Sequence, residues 1–264
     1  MNITTDTTAL VTGANGGLGA AIARSLHKAG ARVILSARRA EAIEPLAKEL
    51  GAEVILADLS RRDELDKLHE AAGEVDLAVL NAALPCTGPV IELSLEQIDR
   101  MLDVNLRAVV HSARVLGEGM ARRRRGHIVF ISSISGKVAS GGQALYNCTK
   151  FGMRGFAYAL REDLAPHGVG VSTVFPGFIR DAGMFANTKV TLPRGAGTRS
   201  PEDVAKAVMR AVKTNPAEID VAAFEQVFGG YAFGVAPGLV SWIMRKTGGE
   251  EVAGRIIEAQ KHKR

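Results

Sequence analysis

The chain has 264 residues, a formal net charge of +5, 47% hydrophobic residues and 23% charged residues. These values are ordinary for one large soluble α/β domain with a full core. The small basic excess suits a phosphorylated ligand or an anionic membrane surface, and it is too small to indicate nucleic acid. The arginine run 122–125 predicts a solvated loop, because no nucleic-acid recognition module accompanies it.

The two cysteines, Cys86 and Cys148, are far apart and show no pairing or ligand pattern. This usage predicts a reducing, cytoplasmic compartment, with neither a disulfide framework nor a metal site. The polar segment 1–8 lacks the apolar core of a signal peptide, which agrees with that location.

The first predicted strand, 8–11, runs directly into a glycine-rich turn and then a helix over 18–29. Glycines let the backbone approach a phosphate, and a helix N-terminus offers free N–H groups and the positive end of its dipole. Such a turn alone could be only a tight strand–helix connection, but its position after the first strand favours a dinucleotide site. The turn residues expected to contact the dinucleotide are Gly13, Asn15, Gly17, Leu18 and Gly19.

The second predicted strand, 32–36, is followed by a helix over 41–50. The end of this strand faces the adenosine ribose in a dinucleotide fold, where an acid would repel a 2′-phosphate. This chain has the hydroxyl of Ser36 and the guanidinium of Arg38 there, and both suit a phosphate. We therefore predict NADP(H) over NAD(H); the alternative is that Arg38 and Arg39 only decorate a solvent-exposed turn.

A third predicted strand, 53–57, ends at Asp58 and Leu59. The carboxylate of Asp58 could accept a hydrogen bond from an adenine amine, with Leu59 beside it. The alternative is that Asp58 caps the following helix, predicted over 61–71.

The fourth predicted strand, 75–80, ends at Asn81 and Ala82, where small residues would let the cofactor cross the strand end. A capping box at its start predicts a long helix over 94–120. Asn105 lies in an apolar part of this helix and needs a partner for its amide. Either a functional water site or a structural hydrogen bond would satisfy it.

A fifth predicted strand, 127–131, delivers Ser133 to its C-terminal end, where ligands bind in open α/β sheets. Tyr146 and Lys150 follow on a helix predicted to reach residue 166, one turn apart on one face. A nearby ammonium and a cationic nicotinamide could together bring the phenol's pKa towards 7. Taken alone, this spacing fits equally well an amphipathic helix with a half-buried tyrosine and an exposed lysine.

The sixth predicted strand, 169–175, ends in Pro176 and Gly177. The irregular segment 178–199 is predicted to be a substrate lid. A helix over 201–214 and a seventh strand over 218–222 complete the pattern.

The last part of the chain, 224–264, is predicted to be an extension of a catalytic domain that covers residues 1–223. Residues 227–244 are almost wholly apolar but are broken by glycine and proline. We expect the extension to cover the substrate pocket or a subunit interface. The alternative is a weak membrane-surface contact, helped by the basic end 261–264.

Strand and helix patterns alternate along the whole chain. This alternation predicts an α/β single domain with a Rossmann-type, doubly wound parallel sheet of about seven strands and helices on both faces.

Taken together, these motifs resemble the short-chain dehydrogenase/reductase (SDR) family over residues 8–221. The matching features occur in the family's order along the chain: the glycine turn after Thr12, Asp58, Asn81-Ala82-Ala83, Asn105, Ser133, Tyr146 with Lys150, and Pro176-Gly177. Three positions depart from the common family pattern: Ala83 replaces a glycine, Arg180-Asp181 replaces a threonine region, and Asn15-Gly16 stands where a basic residue is frequent.

The resemblance implies an oxidoreductase that transfers a hydride between the nicotinamide and a carbonyl or secondary alcohol. Tyr146 would act as general acid and base, Ser133 would orient the substrate oxygen, Lys150 would lower the tyrosine pKa and hold the ribose, and Asn105 would position a water. The resemblance also implies that Pro176, Gly177 and Ile179 contact the cofactor, and that the protein is a homodimer or homotetramer built on the helices around Asn105 and Tyr146.

Apolar residues near the pocket edge, including Leu84, Phe178, Met184 and Phe185, favour an apolar small-molecule substrate. Two alternatives stay open: a cofactor-binding regulatory or scaffold protein of the same fold, and a membrane-peripheral reductase acting on a lipid.

Overall fold

Strands and helices alternate along the chain in the computed structural model, which describes residues 1–85, 87–190, 197–246 and 249–260, with 249–253 described by backbone alone. Cys86, residues 191–196 of the expected lid and the basic end 261–264 lie outside the described residues. The strands are β1 Thr8–Thr12, β2 Arg32–Ala37, β3 Glu53–Leu56, β4 Leu77–Leu80, β5 Gly126–Ile131, β6 Val169–Pro176 and β7 Glu218–Val221. The helices are α1 Gly17–Lys28, α2 Ala40–Leu50, α3 Arg62–Ala72, α4 Leu95–Leu102, α5 Ala108–Arg123, α6 Ala144–Leu164, α7 Pro201–Thr214, α8 Phe224–Val235, α9 Pro237–Lys246 and α10 Gly249–Gln260.

The predicted long helix over 94–120 differs from the structure in one respect. Its capping box is confirmed, because the Ser94 hydroxyl accepts from the Gln97 N–H while the Gln97 side chain accepts from the Ser94 N–H. However, a π-helical turn over Asp103–Arg107 separates α4 from α5. Such turns frequently mark functional sites.

The seven strands form one parallel sheet in the order β3-β2-β1-β4-β5-β6-β7. This confirms the predicted Rossmann-type fold. The chain winds outward from β1 to β3 and then returns to place β4 on the other side of β1. That reversal leaves a crevice at the carboxyl ends of β1 and β4, where α/β sheets of this kind bind ligands.

Helices cover both faces of the sheet, so its central strands are apolar and buried along their length. Every residue of β5 and β6 is buried, as expected for parallel strands that are covered on both sides. One face packs α1, α2 and α7 through side chains such as Ile22, Ile43 and Val204. The other packs α3, α5 and α6 through side chains such as Leu65 and Met153.

The apolar part of the predicted C-terminal extension forms α8 and α9, which are joined by Ala236 alone. Among the described helices, none is both long enough and apolar enough to cross a bilayer.

Candidate active site

Tyr146 and Lys150 lie one turn apart on α6 and face the same cleft, as the spacing predicts. The Lys150 ammonium lies 5.6 Å from the centroid of the Tyr146 ring. The lysine side chain is buried and donates a hydrogen bond to the Ile131 carbonyl oxygen, 3.1 Å away at the end of β5. The alternative of an exposed lysine on an amphipathic helix is therefore wrong.

Burial decides the pKa values of this pair. It raises the pKa of Tyr146 to about 12, against a hydrogen bond with Ser133 that lowers it. It also lowers the pKa of Lys150 to about 8. The expected lowering of the phenol's pKa by the ammonium together with a cationic nicotinamide stays a prediction, to which a bound nicotinamide would contribute its positive charge.

Ser133 follows β5 directly and begins a short 3-10 turn. Its hydroxyl oxygen accepts from the Ser135 N–H at 3.1 Å and interacts with the Tyr146 hydroxyl. The buried Asn147 holds this turn, since its amide nitrogen donates to the carbonyls of Ser135 at 2.7 Å and Val138 at 2.9 Å. Asn147 was missed from sequence, because an asparagine one residue after Tyr146 gives no local signal of what it contacts.

Asn105 lies in the π-helical turn and is fully buried outside the cleft. Its side-chain oxygen accepts from the Leu84 N–H at 2.7 Å, and its amide nitrogen donates to the Leu84 carbonyl at 3.0 Å. The structural hydrogen bond, one of the two expected explanations, thus accounts for the side chain. It fixes the chain just after β4, beside the cleft.

The glycine turn packs too tightly to hold side chains. Gly13 has φ +63°, and a Cβ there would lie 2.8 Å from the Ala82 Cα. A Cβ on Gly19 would lie 2.4 Å from the Gly13 carbonyl oxygen. The first turn of α1 contains no acid, and Gly16 before it provides no side-chain cap, so the helix presents its N–H groups to the cleft. These features fit a dinucleotide pyrophosphate.

Thr12 and Asn81 tie the glycine turn to the end of β4. The Thr12 hydroxyl oxygen accepts from the N–H groups of Asn81 at 3.0 Å and Ala82 at 3.2 Å. The Asn81 amide donates to the carbonyls of Thr12 at 3.0 Å and Gly13 at 3.1 Å. The asparagine therefore shapes the strand ends on which a cofactor would lie.

Ser36, Arg38 and Asp58 line the same end of the cleft. Asp58 accepts from the Ser60 N–H at 3.0 Å and the Ser60 hydroxyl at 2.7 Å. Burial opposes its ionisation, but these hydrogen bonds and the charges of Arg100 and Arg38 lower its pKa overall. The N-cap of α3 is Arg61, so the alternative that Asp58 caps this helix is wrong.

One cleft of about 770 Å³ at the carboxyl edge of the sheet brings the predicted residues together. Of the predicted site residues, only Asn105 lies outside its wall. The predicted residues that line it are Gly13, Asn15, Gly17, Leu18, Gly19, Ser36, Arg38, Asp58, Leu59, Asn81, Ala82, Ser133, Tyr146, Lys150, Pro176, Gly177 and Ile179.

Residues of the expected lid form the apolar end of this cleft. The rings of Phe178 and Phe185 lie 4.8 Å apart, and Met184 lines the same wall. Asp181, at the position where the family often has threonine, also lines the cleft, with φ +70° and an ion pair to Arg180 at 3.3 Å.

Two C-terminal helices hold this end of the cleft. On α8, the Gln226 oxygen accepts from the Phe178 N–H at 3.2 Å, and its amide nitrogen donates to the Gly197 carbonyl at 2.9 Å. On α10, Ile256 and Gln260 line the cleft, and Gln260 donates to the Met184 carbonyl at 3.0 Å. Individual residues of α8 and α10 were not predicted, because their contacts reach far back along the chain.

A buried ion cluster joins the segment after Ser133 to the edge strand β7. The Lys137 ammonium lies 2.6 Å from an Asp220 oxygen and 2.8 Å from a Glu218 oxygen. Arg154 of α6 pairs with Glu218 at 2.5 Å. The ammonium also lies 4.3 Å from the centroid of the Phe175 ring. The cluster anchors the segment that follows Ser133, and the sequence pattern gave no indication of it.

Together the fold and the cleft define an α/β enzyme that binds a nicotinamide dinucleotide. The model of the family described as short chain dehydrogenase matches residues 7–192. Nodulation protein G of Rhizobium sp. (strain N33) is 44% identical over 180 residues, which cover 66% of this chain and 74% of that protein. An uncharacterized oxidoreductase of Staphylococcus aureus (strain USA300) is 30% identical over 228 residues, 84% of this chain and 96% of the relative.

A solved short-chain dehydrogenase from Sphingobium yanoikuyae in complex with NADPH superposes with a TM-score of 0.77 at 25% identity, covering 89% of this chain and 95% of that one. The chain belongs to the short-chain dehydrogenase/reductase family and is an enzyme of the oxidoreductase class.

Proposed function

We propose that this enzyme uses NADP(H) to interconvert a carbonyl and a secondary alcohol on an apolar substrate, with Tyr146 as general acid and base. The observation that carries the proposal is the convergence of Ser133, Tyr146 and Lys150 on one cleft that also contains the glycine turn. A scaffold that only bound the cofactor would not need this set of proton-handling groups.

Different parts of the cleft would hold different parts of the cofactor. The glycine turn with Asn15 and Leu18 suits the pyrophosphate, and Asp58 with Leu59 suits the adenine. Tyr146 and Lys150 would hold the nicotinamide ribose. The nicotinamide end would lie against Pro176, Gly177 and Ile179, where it would supply or accept the hydride.

The preference for the 2′-phosphorylated cofactor rests on Ser36 and Arg38. Ser36 is buried at the end of β2, and the exposed Arg38 lines the same part of the cleft. A hydroxyl and a guanidinium can both bind a phosphate, and no acid stands at this strand end to repel it. The related dehydrogenase solved with NADPH supports the same choice.

The proton chemistry follows from the side chains. With a pKa raised to about 12, Tyr146 is protonated at neutral pH, the form required to donate a proton to a substrate oxygen during reduction. Ser133 contacts the phenol and would hydrogen-bond the same substrate oxygen. Lys150, next to the phenol, would stabilise the phenolate that remains.

The substrate end of the cleft is apolar. Phe178, Met184 and Phe185 line it together with Leu84, and we propose that segment 178–199 acts as a lid over a substrate of matching character. The carbonyl or alcohol group that reacts must lie within reach of Tyr146 and Ser133, where the substrate part of the cleft meets the cofactor part.

We also propose that the enzyme assembles as a dimer or tetramer through α5 and α6. Both helices expose apolar side chains, namely Val115 on α5 and Phe151 and Tyr158 on α6. The cytoplasmic location expected from the cysteines stays a prediction.

Replacing Arg38 by alanine tests the cofactor preference. Loss of a hydrogen-bonded ion pair to the 2′-phosphate should weaken NADPH binding roughly tenfold to hundredfold. NADH lacks that phosphate, so its dissociation constant should not change and serves as the internal control. Titration of both cofactors into both proteins measures the effect; tighter binding of NADH than NADPH by the wild type would contradict the preference.

Replacing Tyr146 by phenylalanine tests the mechanism. The variant should bind NADPH like the wild type but lose roughly 10²–10⁴-fold in kcat on a panel of apolar ketones and aldehydes, because only the proton donor is removed. Tyr158→Phe, on the exposed side of the same helix, is the matched control. Retained turnover in Tyr146→Phe would refute the assignment, and NADPH binding without turnover by the wild type on any carbonyl would favour the scaffold alternative.

A further inference from the structure

Helices α8 and α9 each expose a stripe of large apolar side chains. On α8, Phe224, Phe228, Tyr231 and Val235 follow a spacing of 4, 3 and 4 residues, which puts them on one helical face. Phe224 is 80% exposed and Val235 is 89% exposed. This is the α8 stripe.

The α9 stripe consists of Leu239, Trp242 and Ile243, again on one helical face and again exposed. Lys246 lies one turn beyond Ile243 on this face, and Arg245 is its neighbour. Isolated exposed apolar residues are ordinary, but two stripes within twenty residues form the kind of patch that marks an interaction surface.

The charges around the stripes indicate the partner. Between Phe224 and Lys246 the charged residues are Glu225, whose carboxylate accepts from the Gly197 N–H at 2.8 Å, and the two basic residues Arg245 and Lys246. A helix with tryptophan and aliphatic residues on one face and basic residues at its end is typical of segments that lie in the headgroup region of an anionic membrane. Basic residues near such a surface each add about 1 kcal/mol of attraction.

Hydrogen bonds connect α8, which carries one of the stripes, to the substrate end of the cleft. Gln226 of α8 holds the backbone of Phe178 and Gly197, at the two sides of the expected lid. Tyr231 of α8 donates to Asp220 at 3.3 Å, next to the Lys137 ammonium that follows the catalytic serine turn. A partner that docks on the α8 stripe therefore contacts the helix that positions the entrance of the cleft.

We propose that the α8 and α9 stripes dock the enzyme on an anionic lipid surface, from which its apolar substrate enters the cleft. The choice of substrate rests on the proposed function, whereas the docking rests on the stripes and their charges alone. The described helices do not span a bilayer, so the contact is a peripheral one.

The single tryptophan of the chain, Trp242, reports on this contact. Vesicles of phosphatidylcholine mixed with phosphatidylglycerol should shift its fluorescence to shorter wavelength and should pellet the full-length protein. Vesicles of phosphatidylcholine alone should bind at least about tenfold more weakly, since they lack the anionic headgroups. No cofactor or substrate is present, so failure here is distinguishable from failure of the proposed activity.

The variant Val235→Glu/Leu239→Glu keeps the reporter and should lose at least about tenfold in vesicle affinity. Ile91→Glu/Leu95→Glu, which changes two exposed apolar residues elsewhere, is the matched control and should bind like the wild type. Unchanged NADPH affinity and circular dichroism verify that both variants fold.

Three results would overturn the proposal. The first is the absence of any spectral shift or pelleting with the mixed vesicles, and the second is equal binding to phosphatidylcholine alone. The third is a blue shift that grows with protein concentration without lipid, accompanied by self-association that the Val235→Glu/Leu239→Glu variant abolishes. That third result would assign the stripes to a second copy of this chain.

Discussion

Lys137 and Lys150 are buried to the same degree, with 2% and 1% of their surface exposed, but they lie in opposite electrostatic surroundings. The Lys137 ammonium lies between the carboxylates of Glu218 and Asp220. Lys150 donates a hydrogen bond to the neutral carbonyl of Ile131. Burial by itself lowers the pKa of a lysine. At Lys137 the two carboxylates outweigh the effect of burial, so the pKa of Lys137 is raised above its ordinary value. At Lys150 burial acts without such partners, and the pKa falls to about 8.

The difference shows what burial of a lysine means in this protein. Breaking a buried, hydrogen-bonded ion pair is strongly destabilising. The ion pairs of Lys137 hold the turn after Ser133 against β7. A buried charge without an acidic partner weakens the folded state, and such groups persist where function uses them. Lys150 stands beside Tyr146, where an incoming cofactor and substrate would give its charge something to stabilise.

The largest expected effect comes from Lys137→Met. Removing this ammonium deprives the largely buried carboxylates of Glu218 and Asp220 of their shared partner, with Arg154 still paired to Glu218, so the free energy of unfolding should fall by about 3–5 kcal/mol. Denaturant unfolding at neutral pH measures it. Lys48→Met, which removes an exposed ammonium paired with Glu44, should change the same quantity by less than about 0.5 kcal/mol. A loss at Lys137 as small as that of the control would remove the contrast between the two lysines.

Lys150→Met should change the free energy of unfolding by less than Lys137→Met does, and in the opposite direction. Because the folded pKa of Lys150 is about 8 and its ordinary value is 10.5, protonation favours the unfolded chain below pH 8, and this penalty disappears as the pH rises from 8 to 10.5. The variant should therefore be more stable than the wild type at pH 7, by up to on the order of 3 kcal/mol, and the difference should shrink across that alkaline range.

Turnover separates the two roles further, since Lys150→Met should lose activity while gaining stability. Unfolding curves at several pH values between 7 and 10.5, read together with kcat, check both parts. The stabilisation from Lys137, by contrast, should persist over this range, because a raised pKa keeps its charge until the pH exceeds 10.5. If Lys150→Met unfolded more easily than the wild type at pH 7, Lys150 would be a structural residue like Lys137.

Much of the fold was predictable because its signals are local. Short apolar runs such as 169–175 predict strands buried on both faces, and Ser94 and Ser200 carry capping boxes that start helices where the structure has them. The predicted long helix 94–120 was wrong at one point, the π-helical turn. No residue type is specific to a π-helical turn, so hydrophobic periodicity does not reveal one.

The exposed stripes on α8 and α9 were only partly visible beforehand. The sequence shows that 227–244 is apolar, but composition does not distinguish a segment that covers the core from one that faces solvent. Phe233 is half-buried near Phe151, whereas Val235, two residues later, is almost fully exposed. Only the tertiary packing shows which face of each of these helices lies against the protein and which faces solvent.

By itself, the sequence predicted the candidate site residues and determined the edge of the sheet at which they meet. Strand ends, glycine turns and the Tyr146–Lys150 spacing are short-range features, and a parallel sheet brings its carboxyl ends together. Tertiary structure alone decided which lysine is paired. Lys137 and Asp220 are 83 residues apart in the chain, and the pKa of a buried group depends on every charge and dipole that the fold brings near it. That dependence on distant neighbours is why the pKa values of these two buried lysines are shifted in opposite directions.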